Sequence, residues 1–142
     1  MITTVGKPVF ARLLAGDSSV HLGVGVGSGV VTETPEDCHL AGDGDPLTAC
    51  HVPLDSGFPH ADSGHLVVQA TFAPHHAKFD WREFGLICAD TPVESHHYLV
   101  NTGESPLLLT RKVLLSPLHP EPKGDVHWVF RVRFAVHHVT SA

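Results

Sequence analysis

Apolar and polar positions alternate most clearly at the end of this chain. Trp128, Phe130, Val132, Phe134 and Val136 alternate with Val129, Arg131, Arg133, Ala135 and His137. The pattern predicts a long half-buried strand with one apolar face and one solvated or interface face. Two arginines on the polar face also discourage edge-to-edge pairing. Leu66, Val68, Ala70 and Phe72 alternate with Val67, Gln69 and Thr71, a second strand. In the run Val20 to Gly29, Val20, Leu22, Val24 and Val26 point one way, and Gly23, Gly25 and Gly27 leave the other face almost bare. That glycine face is expected to pack closely against something. Trp81 to Cys88 reads as a strand, and Pro106 to Leu115 as another, with Arg111 and Lys112 marking a change of face or an exposed edge. One segment has helical spacing instead: Val9, Phe10, Leu13 and Leu14 share a face, Pro8 suits the first turn and Gly16-Asp17 stops the run. A short helix is expected over about 8–15.

The stretch of about 32–59 is rich in Pro, Gly, Asp and Thr, and Ala41 to Pro46 reads as turn. It is long for a featureless loop, so a strand is expected near Thr48 to Leu54 and the remainder is a candidate interface loop. No strand–helix–strand rhythm is present. The expected fold class is therefore mainly β, an antiparallel β-sandwich or open barrel with one short N-terminal helix, in a single domain over 1–142.

Composition narrows the function classes. Hydrophobic residues are 42% and charged residues 17%, which excludes a disordered chain. A formal net charge of -6 argues against nucleic-acid binding, which needs a basic surface. Protonating the 13 histidines would turn that charge positive. Three cysteines, Cys38, Cys50 and Cys88, do not make a disulfide framework. Apolar runs fall short of the ~20 residues that cross a bilayer. The N-terminal residues lack the charged-then-apolar form of a signal peptide, so synthesis and first use in the cytoplasm are expected.

Candidate chemistry is sparse. His75-His76, His96-His97 and His137-His138 are adjacent doublets, and neighbours on a strand face opposite ways, so they chelate poorly. Cys38-His39 and Cys50-His51 form two matching dipeptides without a standard zinc spacing; these four are the metal candidates, and no metal or cofactor is expected. There is no Gly-x-Ser-x-Gly elbow, and Gly25 to Gly29 lacks the Lys-Ser/Thr of a phosphate loop. Cys88, after Leu86-Ile87, reads as a small buried residue. Asp43 and Asp45 sit in a turn without a calcium-loop pattern and read as solvated or interface residues.

Ala70 to Leu86 is the most informative stretch. Glu83 stands between Trp81 and Phe84-Gly85-Leu86. A buried carboxylate needs partners, so it should find backbone N–H groups or an arginine such as Arg82, Arg111, Arg131 or Arg133. Gly85 permits a bulge or close packing. The segment Phe79-Asp80-Trp81-Arg82-Glu83-Phe84-Gly85-Leu86, after the Phe72 strand end, resembles a motif of small tailed-bacteriophage structural proteins, tail-associated or tail-fibre-like. Weaker matches extend the resemblance from about Val5 to Val136, including the glycine-punctuated strand, Pro53 to Pro59, Leu107 to Lys112 and the Trp128 strand. The many histidines and the Cys-His dipeptides depart from it. The resemblance implies a non-enzymatic virion subunit, made in the host cytoplasm. It would be a homo-oligomer contacting other virion proteins in the tail tip, neck, baseplate or fibre attachment. Phe72, Phe79, Trp81, Arg82, Glu83, Phe84, Gly85 and Leu86 would organise the fold or an adjacent contact, with Asp43, Asp45, Arg131 and Arg133 as interface candidates. The rival expectations are a capsid decoration protein, a receptor- or glycan-binding module, and a metal-dependent enzyme using Cys and His.

Overall fold

The computed structural model describes residues 2–37, 39–42, 47–73, 79–89, 91–93, 107–118 and 128–135. They form one helix, α1 (Gly6–Leu14), and eight strands: β1 (His21–Gly27), β2 (Ala49–Pro53), β3 (His60–Asp62), β4 (His65–Phe72), β5 (Trp81–Ala89), β6 (Leu107–Leu108), β7 (Lys112–Leu118) and β8 (Trp128–Ala135). The fold is mainly β, as the alternation requires. One sheet runs β2-β1-β5-β6, with β7 also paired to β5, and the other runs β3-β4-β8. Every pairing is antiparallel. Among the described residues the sheets do not close into a barrel.

The helix begins two residues before Pro8. Buried Thr3 explains this: its hydroxyl accepts the Gly6 N–H at 2.9 Å and donates to the Leu108 carbonyl at 2.6 Å, starting the first turn at Gly6. At the other end Gly16 takes φ 82°. The Asp17 N–H reaches the Arg12 carbonyl and the Gly16 N–H reaches that of Leu13, a Schellman closure. β3 was not expected from the sequence. It pairs with β4 across Ser63-Gly64, both at positive φ, as a two-residue hairpin turn demands.

The two faces of the first sheet differ. Leu22, Val24 and Val26 line up with Cys50 and Val52 of β2 and with Phe84, Leu86 and Cys88 of β5. This face meets Val68, Ala70, Phe72 and Val132 of the second sheet, with Val9, Phe10 and Leu13 of α1 packed against the same core. The opposite face carries Gly23, Gly25 and Gly27 in register with Ile87, Gly85 and Glu83. It holds a smaller separate cluster of Leu40, Ile87 and Leu108.

The expected strand over 106–115 is broken in two. Ile87 pairs with Leu108 and Phe84 with Lys112, so two residues of β5 face three of its neighbour. The Leu109 and Thr110 N–H groups both point to the Leu86 carbonyl, at 2.7 and 3.4 Å. This is a one-residue bulge, and an extra residue reverses the facing of every later position in the strand. Leu109 therefore lies in the main core, while Arg111 turns to the glycine face. Of the two readings of Arg111 and Lys112, the change of face fits the bulge, and the exposed edge is corrected for Arg111, which is 2% exposed while its neighbour Lys112 faces solvent.

Candidate functional site

The glycine face is covered by a strap, described over residues 28–37 and 39–42, that leaves the end of β1. Its base is closed by the Ser28 N–H to the Thr48 carbonyl at 2.9 Å and by the Thr48 hydroxyl to the Gly42 carbonyl at 2.6 Å. Its middle is tied to the N-terminus by the Thr4 N–H to the Pro35 carbonyl at 2.6 Å.

Glu83 fastens the strap from below. It is fully buried. One carboxylate oxygen, Oε1, accepts the Ala41 N–H at 2.8 Å and Arg111 Nε at 2.9 Å; the other, Oε2, accepts the Gly42 N–H at 2.9 Å. Arg111 then reaches outward, donating to the Val31 carbonyl at 2.7 Å and to the Asp37 carboxylate at 3.0 Å. Burial raises the Asp37 carboxyl. The Thr34 N–H, the Arg111 guanidinium and the Thr34 hydroxyl outweigh that and hold it below its ordinary value. Glu33 adds an outer tie, accepting the Val113 N–H at 2.7 Å.

The glycines make room for this fastening. A Cβ on Gly27 would stand 2.9 Å from Glu83 Oε2, and one on Gly29 would run into Glu83 and Ala41. A Cβ on Gly25 would press on His51 and Leu40 at 3.0 Å. On Gly85 it would strike the Thr110 carbonyl, so this glycine serves close packing at the bulge.

The network is built for geometry more than for stability. Two buried charges lose hydration, and their attraction roughly balances that loss only when the remaining lone pairs and protons are satisfied. Here three N–H donors share the Glu83 carboxylate, and the guanidinium has three acceptors on two segments. The strap is thereby fixed in one path. Both Glu83 oxygens accept hydrogen bonds that tie the strap to the sheet.

The rest of the aromatic motif supports it. Phe72 and Trp81 are buried with ring centroids 5.0 Å apart. Such a pair adds about 0.5–1.5 kcal/mol beyond its burial. Phe79 and Phe84 are half-buried against the same core, and Leu86 lies within it. Arg82 faces solvent and pairs with Asp80 at 3.6 Å, so Arg111 and not Arg82 is the guanidinium partner of Glu83.

The other candidates are dispersed. Arg131 and Arg133 are exposed on β8. Arg133 meets Asp62 at 3.2 Å, while Arg131 donates to Gln69 Oε1 and lies 5.7 Å over the Phe58 ring. Asp55 accepts Gln69 Nε2 and the Thr71 hydroxyl on the same face. Cys50 and His51 are adjacent on β2 and point opposite ways, Cys50 into the main core and His51 toward Gly25. They therefore do not converge on one ion. Burial pushes the Cys50 thiol up to about 12. His39 rides on the strap with both ring nitrogens shielded from solvent. Among the described residues no three His, Cys, Asp or Glu side chains gather as a metal site, and no helix is long and apolar enough to cross a membrane. Cys38, Asp43, Asp45, Val136 and the three histidine doublets lie outside the described residues.

Sequence reasoning missed Asp37 and the roles of Gly29 and Gly42, whereas the close packing expected against the glycine face is met at Gly27 by Glu83. The one local signal was Thr34-x-x-Asp37, whose carboxylate accepts the Thr34 N–H at 2.9 Å and so bends the strap back on itself. Comparison with family models, with curated proteins and with solved structures finds no match to this chain.

Proposed function

We propose that this chain is a non-enzymatic structural subunit of a tailed bacteriophage particle, repeating symmetrically in the tail at the tip, neck, baseplate or fibre attachment. It would be made in the host cytoplasm, would need no cofactor and would contact other virion proteins and copies of itself. One observation carries the reading. The segment Phe79 to Leu86, on which the resemblance to tail-associated proteins rests, is given over to architecture here. Its acid fixes a strap, its aromatics fill the core and its glycine admits the bulge. The exposed outer side of that strap, with Val30 and Val31 in solvent, supports an assembly role.

The test is cryo-electron microscopy of particles that contain the chain, with mass spectrometry of the purified particles. Density in a ring or collar of the tail is the expected result. Density on the head shell would replace this reading with capsid decoration, and absence of the chain from particles would overturn both.

A further inference from the structure

β8 ends the β3-β4-β8 sheet, and among the described residues nothing pairs with its outer side. Its ladder with β4 runs unbroken from Trp128 to Ala135, without a bulge, a proline or a glycine. The direction of its main-chain groups follows from β4. The Gln69 carbonyl accepts the Asp55 N–H at 2.8 Å, so the main chain of Gln69 faces away from β8. The N–H and C=O of one strand residue point the same way, and the direction alternates along the strand. Val68 and Ala70 therefore bond to Val132 and Phe130, and the main chain of Val129, Arg131, Arg133 and Ala135 is turned to the open edge. Natural edges are commonly blunted by charged side chains. Here the charges are drawn back across their own sheet. Arg131 donates to Gln69 on β4 and lies over the Phe58 ring, and Arg133 reaches Asp62 on β3. The two arginines expected to discourage edge pairing thus leave the main chain of the edge uncovered. Beside it Val132 is only half-buried, although it packs against the main core, and Val129 is 59% exposed.

We infer that two copies of this chain pair through β8, antiparallel about a two-fold axis, so that their three-stranded sheets join into one. The inference deepens the virion reading and rests on it only for the biological setting. A second copy is the occupant because the edge is complementary to itself. With Val132 on the axis, Arg131 stands opposite Arg133 of the other copy and Val129 opposite Ala135, so each outward N–H meets an outward carbonyl. Val132 faces its own counterpart in a non-hydrogen-bonded pair, where side chains approach most closely, and the contact covers its open side. The arginine stems adjoin, while their charged ends stay over Gln69 and Asp62 of their own sheets. Shifting the register would set Arg131 or Arg133 against its own counterpart and leave outward groups unpaired. The contact is isologous and uses up the edge, so it stops at the dimer.

The experiment is sedimentation velocity on the full chain across a concentration series, joined to hydrogen exchange of the β8 amides. Wild type is expected to pass from monomer to dimer and no further. The Arg131 and Arg133 amides should exchange fast in dilute monomer and about tenfold or more slowly in the dimer. The Val132 amide, bonded within the sheet to Val68, should stay protected in both. Arg133→Pro removes one outward N–H and none of the β4 ladder, and circular dichroism checks that the variant folds. It should weaken the dimer by about tenfold or more, because two-fold symmetry counts the loss twice. Arg133→Ala keeps that N–H and should dimerise like wild type. A wild type that stays monomeric, a dimer whose Arg131 and Arg133 amides gain no protection, or a folded Arg133→Pro chain that dimerises like wild type would each overturn the inference. If Arg133→Pro does not fold, exchange in the wild-type dimer decides alone. Protection of those two amides in purified particles, by a chain that is monomeric in solution, would replace the second copy with a strand of another virion protein. A dimer formed by a chain absent from particles would sink the virion reading alone.

Discussion

Glu83 and Arg111 are bound to each other and to separate parts of the chain, so neither can be changed quietly. Glu83→Ala strands a buried guanidinium and removes the acceptor for two main-chain N–H groups. A loss of about 3–5 kcal/mol is expected, read from the urea midpoint at unchanged slope. Glu83→Gln keeps the shape and one acceptor oxygen and should fall between that variant and wild type. Retention of wild-type stability in Glu83→Ala would show that the buried pair is dispensable. Gly27→Ala tests the same point from above. Its Cβ meets a carboxylate that is held on both oxygens, so a loss of about 1–3 kcal/mol is expected by the same urea measurement, as for overpacking generally. The need for a partner at Glu83 was legible in the sequence from a lone acid among aromatics. The choice of Arg111 was not, because it depends on a bulge that reverses one residue, and hydrophobic alternation does not record an inserted position.

At the scale of elements, the strap and the sandwich draw on different sources of stability. The sandwich rests on the continuous core; the strap rests on hydrogen bonds, ion pairs and the small cluster around Leu40. Arg111→Met should loosen the strap while the sheets remain. Faster hydrogen exchange at the Ala41 and Gly42 amides is expected, with protection in β1 and β5 little changed. Uniform loss of protection would contradict separate units. Acid acts on the same element. Because the folded Asp37 carboxyl titrates below its ordinary 3.8, its contribution is fully present above that value and is lost as pH falls through the folded one. The stability difference between wild type and Asp37→Asn should therefore shrink as denaturation is measured at pH 5, then 4, then 3. A constant difference would separate Asp37 from the latch. The strands β1, β4, β5 and β8 were readable from alternation or composition. The path of the strap was not, since its contacts are made by backbone atoms and by residues such as Asp37 and Arg111 that lie 74 positions apart.

For the molecule as a whole, the main core makes the sandwich hard to open locally. Cys50 sits in that core with its thiol pushed up to about 12, so it is protonated and shielded at neutral pH. Its alkylation, followed by mass spectrometry of the Cys50 peptide, should track global unfolding across a denaturant series. Rapid labelling in buffer alone would reveal an opening route through β2.

The strap is gripped through amides and carbonyls: Glu83 takes the N–H groups of Ala41 and Gly42, and Arg111 takes the carbonyl of Val31. Such a clasp is indifferent to the letters written on the outer side. Val30 and Val31 can be exchanged for other residues without disturbing what holds the segment down, provided the small residues beneath are kept. Recognition can thus diverge from one variant to another over an unchanged chassis, and foreign peptide grafted at those outward positions should be displayed in a fixed pose.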